Sequence, residues 1–138
     1  MIIADTGFWL ALANRRDHHH AAALRALEGL REKLVTTWPV LTETCHLLLA
    51  RLGVQAELAF LRGLRDGSCT VFPIVEAHLP RIEDLMDAYA DLPMDLADAS
   101  LVVLAEQLDD GRILSTDTRD FRTYRWKHRK PFRNLLGT

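Results

Sequence analysis

Four short apolar runs punctuate the chain: Met1-Ile-Ile-Ala4, Val35-Thr36-Thr37, Cys69-Thr-Val-Phe-Pro-Ile74 and Ile113-Leu-Ser115. Between them lie longer stretches with apolar residues at helical spacing. Strands too short and too uniformly apolar to present a wet face must be covered on both sides. Their alternation with helices predicts an α/β fold, a three-layer arrangement with a short-stranded parallel sheet flanked by helices on both faces. At 138 residues the chain is expected to be a single domain, residues 1–138, large enough to fold without a disulfide or structural metal.

The spacing predicts helices over about 8–13, 18–33, 39–52, 54–65, 77–90 and 96–108. Asp17 reads as an N-cap, Pro39 suits a first helical turn, and Gly53 and Asp109-Asp110-Gly111 read as stops. A last strand is expected near Pro131–Leu135. The longest apolar run, Phe8–Ala13, has six residues, far below the roughly 18 that span a membrane. The opening MIIADTGFW lacks a basic segment and so does not read as a signal peptide. Cys45 and Cys69 have no metal-site spacing and suit a reducing compartment, so a cytoplasmic location is expected.

Two of the strands end in an aspartate, Asp5 and Asp117. In open parallel sheets ligands bind beyond the carboxyl ends of the strands. Helix starts lie at the same edge, which brings in Glu43 early in the Pro39 helix and Asp95 and Asp98 at the opening of the helix at 96. Asp5, Glu43, Asp98 and Asp117 are therefore candidates for one site. Four carboxylates held close repel one another. A divalent cation is the usual reason to gather them, and an all-oxygen set favours Mg²⁺ or Mn²⁺. Such a site activates water and polarises a phosphodiester without a serine or histidine nucleophile.

Each acid also has a purely structural reading. Asp5, Asp95 and Asp117 precede helices or turns and suit N-caps. Glu43 alone reads as a solvated helical glutamate, and Asp120 competes with Asp117 for the fourth place. His18-His19-His20 do not read as a metal site, because neighbours on a helix diverge by about 100°. Phe8, Trp9 and Trp38 suit core or interface positions.

Charge is uneven. The chain's net −2 combines +6 over residues 119–138 with −8 over the rest. Arg119, Arg122, Arg125 and Arg129 alternate with Phe121, Tyr124, Trp126 and Phe132. That pattern suits single-stranded RNA, through phosphate contacts and base stacking. It suits equally a basic surface edge whose aromatics point inward.

The combination resembles the PIN-domain nucleases, and within them the bacterial VapC-like toxin ribonucleases of toxin–antitoxin pairs. The resemblance rests on Ile3-Ala-Asp5-Thr6-Gly7, Leu41-Thr-Glu43, Pro93-Met-Asp95-Leu-Ala-Asp98-Ala-Ser100 and Ile113-Leu-Ser-Thr-Asp117-Thr-Arg-Asp120-Phe121. It implies a PIN-like fold and a Mg²⁺- or Mn²⁺-dependent endoribonuclease with Asp5, Glu43, Asp98 and Asp117 as the acidic quartet. Asp5, Asp98 and Asp117 are then the metal ligands, with Glu43 acting directly or through water. Asp95, Asp120, Thr6 and Thr116 support them from behind. Gly7 departs from the family's frequent Asn or Ser. The resemblance also implies an RNA substrate, a cognate antitoxin protein and a homodimer. The competing readings are a non-catalytic PIN-like RNA-binding module, another Mg²⁺-dependent phosphoryl hydrolase and a receiver-type phosphoacceptor. The last wants a lysine near the acids, and Lys33, Lys127 and Lys130 are poorly placed for it.

Overall fold

The computed structural model describes residues 1–137. The element order is β1 (Ile2–Ala4), α1 (Thr6–Ala13), α2 (His20–Gly29), β2 (Leu34–Thr37), α3 (Trp38–Leu52), α4 (Val54–Arg65) and β3 (Cys69–Phe72). A short 3₁₀ turn, Glu76–His78, then leads into α5 (Leu79–Ala88), α6 (Leu96–Leu108), β4 (Arg112–Leu114), α7 (Thr118–Thr123), β5 (Arg125–Trp126), β6 (Lys130–Pro131) and β7 (Arg133–Asn134).

Five strands form a parallel sheet in the order β3-β2-β1-β4-β7. The chain steps outward from β1 to β2 and β3, then returns through α5 and α6 to lay β4 on the other side of β1. Right-handed crossovers put the helices before and after that reversal on opposite faces. The reversal falls between β1 and β4, where Ile3 pairs with Ile113 and Ala4 with Leu114. Open α/β sheets bind ligands at this kind of switch point.

The strand residues Ile2, Ile3, Ala4, Val35, Ile113 and Leu114 are buried, as the apolar runs require. Helix α6 is apolar nearly all round and is buried from Ala99 to Ala105. It packs on β1 and β2 and is covered by α5. Its first turn therefore sits, held from several sides, at the carboxyl edge of the sheet.

Three local expectations change. Helix α2 starts at His20, because Asn14 and Asp17 accept hydrogen bonds from the amides of Arg16 (3.0 Å) and His19 (2.8 Å). Such Asx turns compete with helix. It ends at Gly29 with Leu30 extended, four residues before Lys33. The stretch after Asp117 forms α7, and the last strand of the sheet is only Arg133–Asn134.

The segment between α7 and β7 forms an antiparallel ribbon, β5 with β6, at the far end of α6. There the Lys127 amide donates to Glu106, and its ammonium reaches Asp109, the left-handed residue that closes α6. At 1.5 Å per residue this lies about 20 Å from the start of α6.

Candidate active site

Asp5 follows β1 directly. Its Oδ1 accepts from the Thr6 amide at 2.8 Å, so it caps α1. Its Oδ2 accepts from Ser115 Oγ at 2.8 Å. The same Ser115 oxygen accepts from the Asp117 amide at 3.0 Å. Ser115 thus ties the ends of the two central strands together. Asp117 in turn caps α7 by accepting from the Asp120 amide at 3.1 Å. Asp95 caps α6 in the same way, accepting from the Asp98 amide at 2.8 Å.

The capping reading of these aspartates and the site reading are therefore both satisfied by one geometry. Each cap fixes a carboxylate at a helix start, and the helix starts converge. Carboxylate oxygens of Asp98, Asp117 and Asp120 lie within 4.8 Å of one another. Asp5 borders this trio closely enough for Asp98 and Asp117 to feel its charge, and Glu43 faces Asp5 and Asp95. The structure thus brings Asp5, Glu43, Asp95, Asp98, Asp117 and Asp120 to one place. Asp120, expected behind the ligands, joins Asp98 and Asp117 in the close trio.

The electrostatics follow from burial without compensation. Burial pushes the Asp5 carboxyl up to about 6, against the pull of Ser115 and the Thr6 amide. Burial pushes Asp98 up to about 8, opposed by a hydrogen bond from Tyr124 and reinforced by Asp5, Asp95 and Asp117. Glu43 and Asp120 are also raised, burial first. Among the described residues the single ion pair reaching this group is Arg119 to Asp120, at 3.7 Å. Hard oxygen donors, mutual repulsion and little built-in countercharge are what a divalent cation would satisfy. The donor set fits Mg²⁺ or Mn²⁺ and holds no sulfur or imidazole that would favour a softer metal.

Two supporting residues were not legible in the sequence. Ser115 had no signal beyond its place before Asp117. Tyr124 is fully buried, and its hydroxyl donates to Asp98 Oδ2 at 2.7 Å; in the sequence it reads only as one aromatic of a basic stretch. The two expected threonines sit differently. Thr6 is buried and takes a long hydrogen bond from Thr44 Oγ1, 3.4 Å. Thr116 presses on the backbone of α1, where a Cβ at position 7 would fall 1.8 Å from its Oγ1. Glycine at position 7 is thus what lets the two central strand ends approach.

The basic stretch divides. Phe121, Tyr124 and Trp126 are buried and Phe132 packs on the core, so the aromatics face inward. Arg119 and Arg122 are exposed on α7; Arg119 reaches Asp120, whereas Arg122 sits with Thr118, Phe121, Phe132 and Asn134. Arg125 is committed to the carbonyls of Arg122, Thr123 and Tyr124. Arg129 lies in the turn of the distal ribbon, away from the acids. Of the histidine triple, His20 meets the Ala11 carbonyl at 2.6 Å, and the His18 and His19 rings meet edge to face. Beside the acids runs a groove of about 650 Å³ whose lining includes Trp38, Glu43 and Asp95.

Comparison with known proteins agrees with this geometry. Residues 2–127 match the PIN domain family. The chain is 32% identical to ribonuclease VapC26 of Mycobacterium tuberculosis over 124 residues, 90% of this chain and 92% of that protein. It is 41% identical over 59 residues to the 23S rRNA-specific endonuclease VapC20 of the same organism, 43% of this chain and 45% of that one. The crystal structure of M. tuberculosis VapC20, described as a sarcin-ricin loop cleaving toxin, superposes with a TM-score of 0.79 at 22% identity, covering 86% of this chain and 92% of that chain.

Proposed function

The chain belongs to the PIN-domain family, in its VapC-like group, and from that premise we propose that it is a metal-dependent endoribonuclease and the toxin of a toxin–antitoxin pair. The observation that carries the reading is the convergence of Asp98, Asp117 and Asp120 with Asp5 and Glu43 at the switch point of the sheet. Asp98 and Asp117, with Asp5 or Asp120, would hold Mg²⁺ or Mn²⁺. A divalent cation there supplies Lewis-acid polarisation of the phosphodiester and a lowered pKa for the attacking water.

The chain's own residues do the rest. The cap bonds from Thr6 and Asp120 fix the directions of Asp5 and Asp117. Ser115 locks the two strand ends in register. Tyr124 fixes Asp98. Glu43, raised by burial, faces the same space and is the acid suited to exchange a proton with the attacking water. Arg119 borders the acids at Asp120, and with Arg122 further round α7 it suits the phosphates of the strand being cut. Attack of water on phosphorus with the 3′ oxygen as leaving group breaks the P–O3′ bond and leaves 5′-phosphate and 3′-hydroxyl ends.

A cognate antitoxin and a homodimer belong to the same reading. Leu49, Leu52, Val54 and Leu61 are exposed on the α3–α4 pair and Leu24 and Leu27 on α2, apolar surface that suits protein contacts. No helix among the described residues is long and apolar enough to cross a membrane. The deciding experiment is cleavage of ribosomal and transfer RNA with Mn²⁺, with chelator, and with Asp98→Asn. Wild-type activity that needs the metal and is lost by several orders of magnitude in the variant supports the reading. Unchanged activity in a folded Asp98→Asn variant rejects it, and no cleavage by the wild type with metal favours a non-catalytic RNA-binding module.

A further inference from the structure

We propose that the groove beside the acids is a subsite for one nucleobase of the RNA, selective for bases that carry an exocyclic amino group. It deepens the nuclease reading and rests on it. The floor and far wall are Trp38, Pro39 and His46 of α3, Ile74 beyond β3, and Leu96 of α6. The near rim is Glu43 and Asp95, which also border the acid cluster. A base in the groove and a phosphate at the acids thus belong to neighbouring parts of one nucleotide strand.

Trp38 is the odd residue. The other two tryptophans are 7% exposed, whereas Trp38 is 58% exposed and opens onto this groove. An indole left in water beside a phosphodiester site offers a π face on which any base can stack.

Charge decides which part of the nucleotide enters. No lysine or arginine lines the groove, and two carboxylates rim it. A phosphate is repelled there, while an uncharged base is not. Arg119 extends on α7 beside Asp120 and offers the phosphates a place outside the groove.

The rim also sets specificity. Carboxylate oxygens accept hydrogen bonds, and Asp95 spends only its Oδ1 on the Asp98 amide. Cytosine, adenine and guanine present amino donors, and Asp or Glu accepting from the cytosine amino group is a known pairing chemistry. Uracil has no amino group and brings a single N3–H donor, whereas an amino group brings two protons to the two rim carboxylates. The proposal therefore commits to an amino-bearing base. An apolar segment of a protein partner is the other occupant that the groove's shape admits, and the acid rim gives it no matching charge unless it brings a cation.

The test separates this subsite from catalysis. In chelated protein, neutral nucleosides are titrated while the Trp38 indole N–H is followed by NMR. Cytidine, guanosine and adenosine are expected to shift it saturably, and uridine distinctly less. In cleavage of single-stranded RNA with Mn²⁺, Trp38→Ala is expected to lower kcat/KM about fivefold or more, and Trp38→Phe to recover most of it. Nucleosides that leave Trp38 unmoved overturn the subsite, and equal shifts with uridine overturn the amino preference. A synthetic Leu- and Trp-containing peptide that saturates the groove where nucleosides do not assigns it to a protein partner instead. Wild-type protein that cuts no RNA refutes the nuclease reading, and the nucleoside titration still decides whether the groove holds a base.

Discussion

The hydroxyl of Tyr124 donates to Asp98 Oδ2 across 2.7 Å, from a side chain with no exposure to solvent. The bond binds the end of α7 to the start of α6 and holds one carboxylate oxygen in a fixed direction. The contact also raises the Tyr124 phenol, after burial, so the proton stays on the tyrosine. Tyr124→Phe keeps the ring packing against Tyr89 and Phe121. Partners that orient a metal ligand are commonly worth about 10- to 100-fold in metal affinity or activity. Tyr124→Phe is expected to weaken Mn²⁺ binding within that range by calorimetry, with normal circular dichroism. Unchanged affinity would show that the bond serves packing alone.

Charge and capping are separable at Asp117. Asparagine keeps a side-chain acceptor for the Asp120 amide and removes the charge. Asp117→Asn is therefore expected to stabilise the metal-free protein, by about 1 kcal/mol on the scale of other active-site relaxations. Asp117→Ala loses the cap as well, which costs about 1 kcal/mol. Thermal melts of the chelated proteins should rank Asn above wild type and Ala below Asn. An Asn variant less stable than wild type would mean that the carboxylate is not repelled in the folded chain.

The pH dependence has a definite sign. Asp5 and Asp98 titrate in the folded metal-free chain near 6 and 8, against an ordinary value of 3.8. Between about pH 4 and about pH 8 the folded state binds protons that the unfolded state has released, so stability falls as pH rises through that window. Chelated protein should melt lower at about pH 9 than at about pH 6. Saturating Mn²⁺ displaces those protons and should flatten the trend, while adding about 2.7 kcal/mol at a hundred times its dissociation constant. A chelated protein that gains stability across the window contradicts the burial of both acids.

The arginines should not act alike. Arg119→Ala and Arg122→Ala are each expected to weaken RNA binding and remove roughly 0.7 from the log–log salt slope. Arg129→Ala, in the distal ribbon, should leave cleavage of a short strand unchanged. Binding measured over a salt series checks this, and equal slopes lost at all three positions would mean that RNA runs the full length of α6.

Gly7 carries a stability prediction. A methyl at this position meets Thr116 Oγ1 at 1.8 Å and its Cβ at 3.0 Å. Gly7→Ala should cost about 1–3 kcal/mol, the usual range for overpacking. Adding Thr116→Gly should recover much of it. A Gly7→Ala protein as stable as wild type in urea melts would show that Thr116 simply rotates away.

What the sequence made legible was periodic or local. Asp5 and Asp117 stood out because each ends an apolar strand, and Asp98 because helical steps from it to Leu101, Val102 and Ala105 put it at the margin of the packed face. The sheet followed from the alternation of strands and helices. The partners of those acids were not legible. Ser115 reaches Asp5 across 110 residues and Tyr124 reaches Asp98 across 26, and neither contact leaves a period or a spacing. Helix α7 was masked by its basic composition, although Asp117 and Asp120 cap its start. The inward turn of Phe121, Tyr124 and Trp126 depended on tertiary partners, Phe132 for Phe121, Tyr89 for Tyr124 and α6 for the strand of Trp126, which no local pattern encodes.

Asp5, Asp95 and Asp117 each hold their direction through a backbone amide one or three residues on. The aim of these carboxylates is thus inherited first from where a helix begins, with Ser115 adding a side-chain hold on Asp5. Substitutions in the core that preserve strand length, helix starts, Ser115 and Tyr124 leave the acids aligned, however much of the remaining interior has been exchanged. A lineage built this way has wide freedom to drift almost everywhere and very little at a handful of chain reversals. That is the pattern expected when a backbone superposes closely on one that shares barely a fifth of its residues.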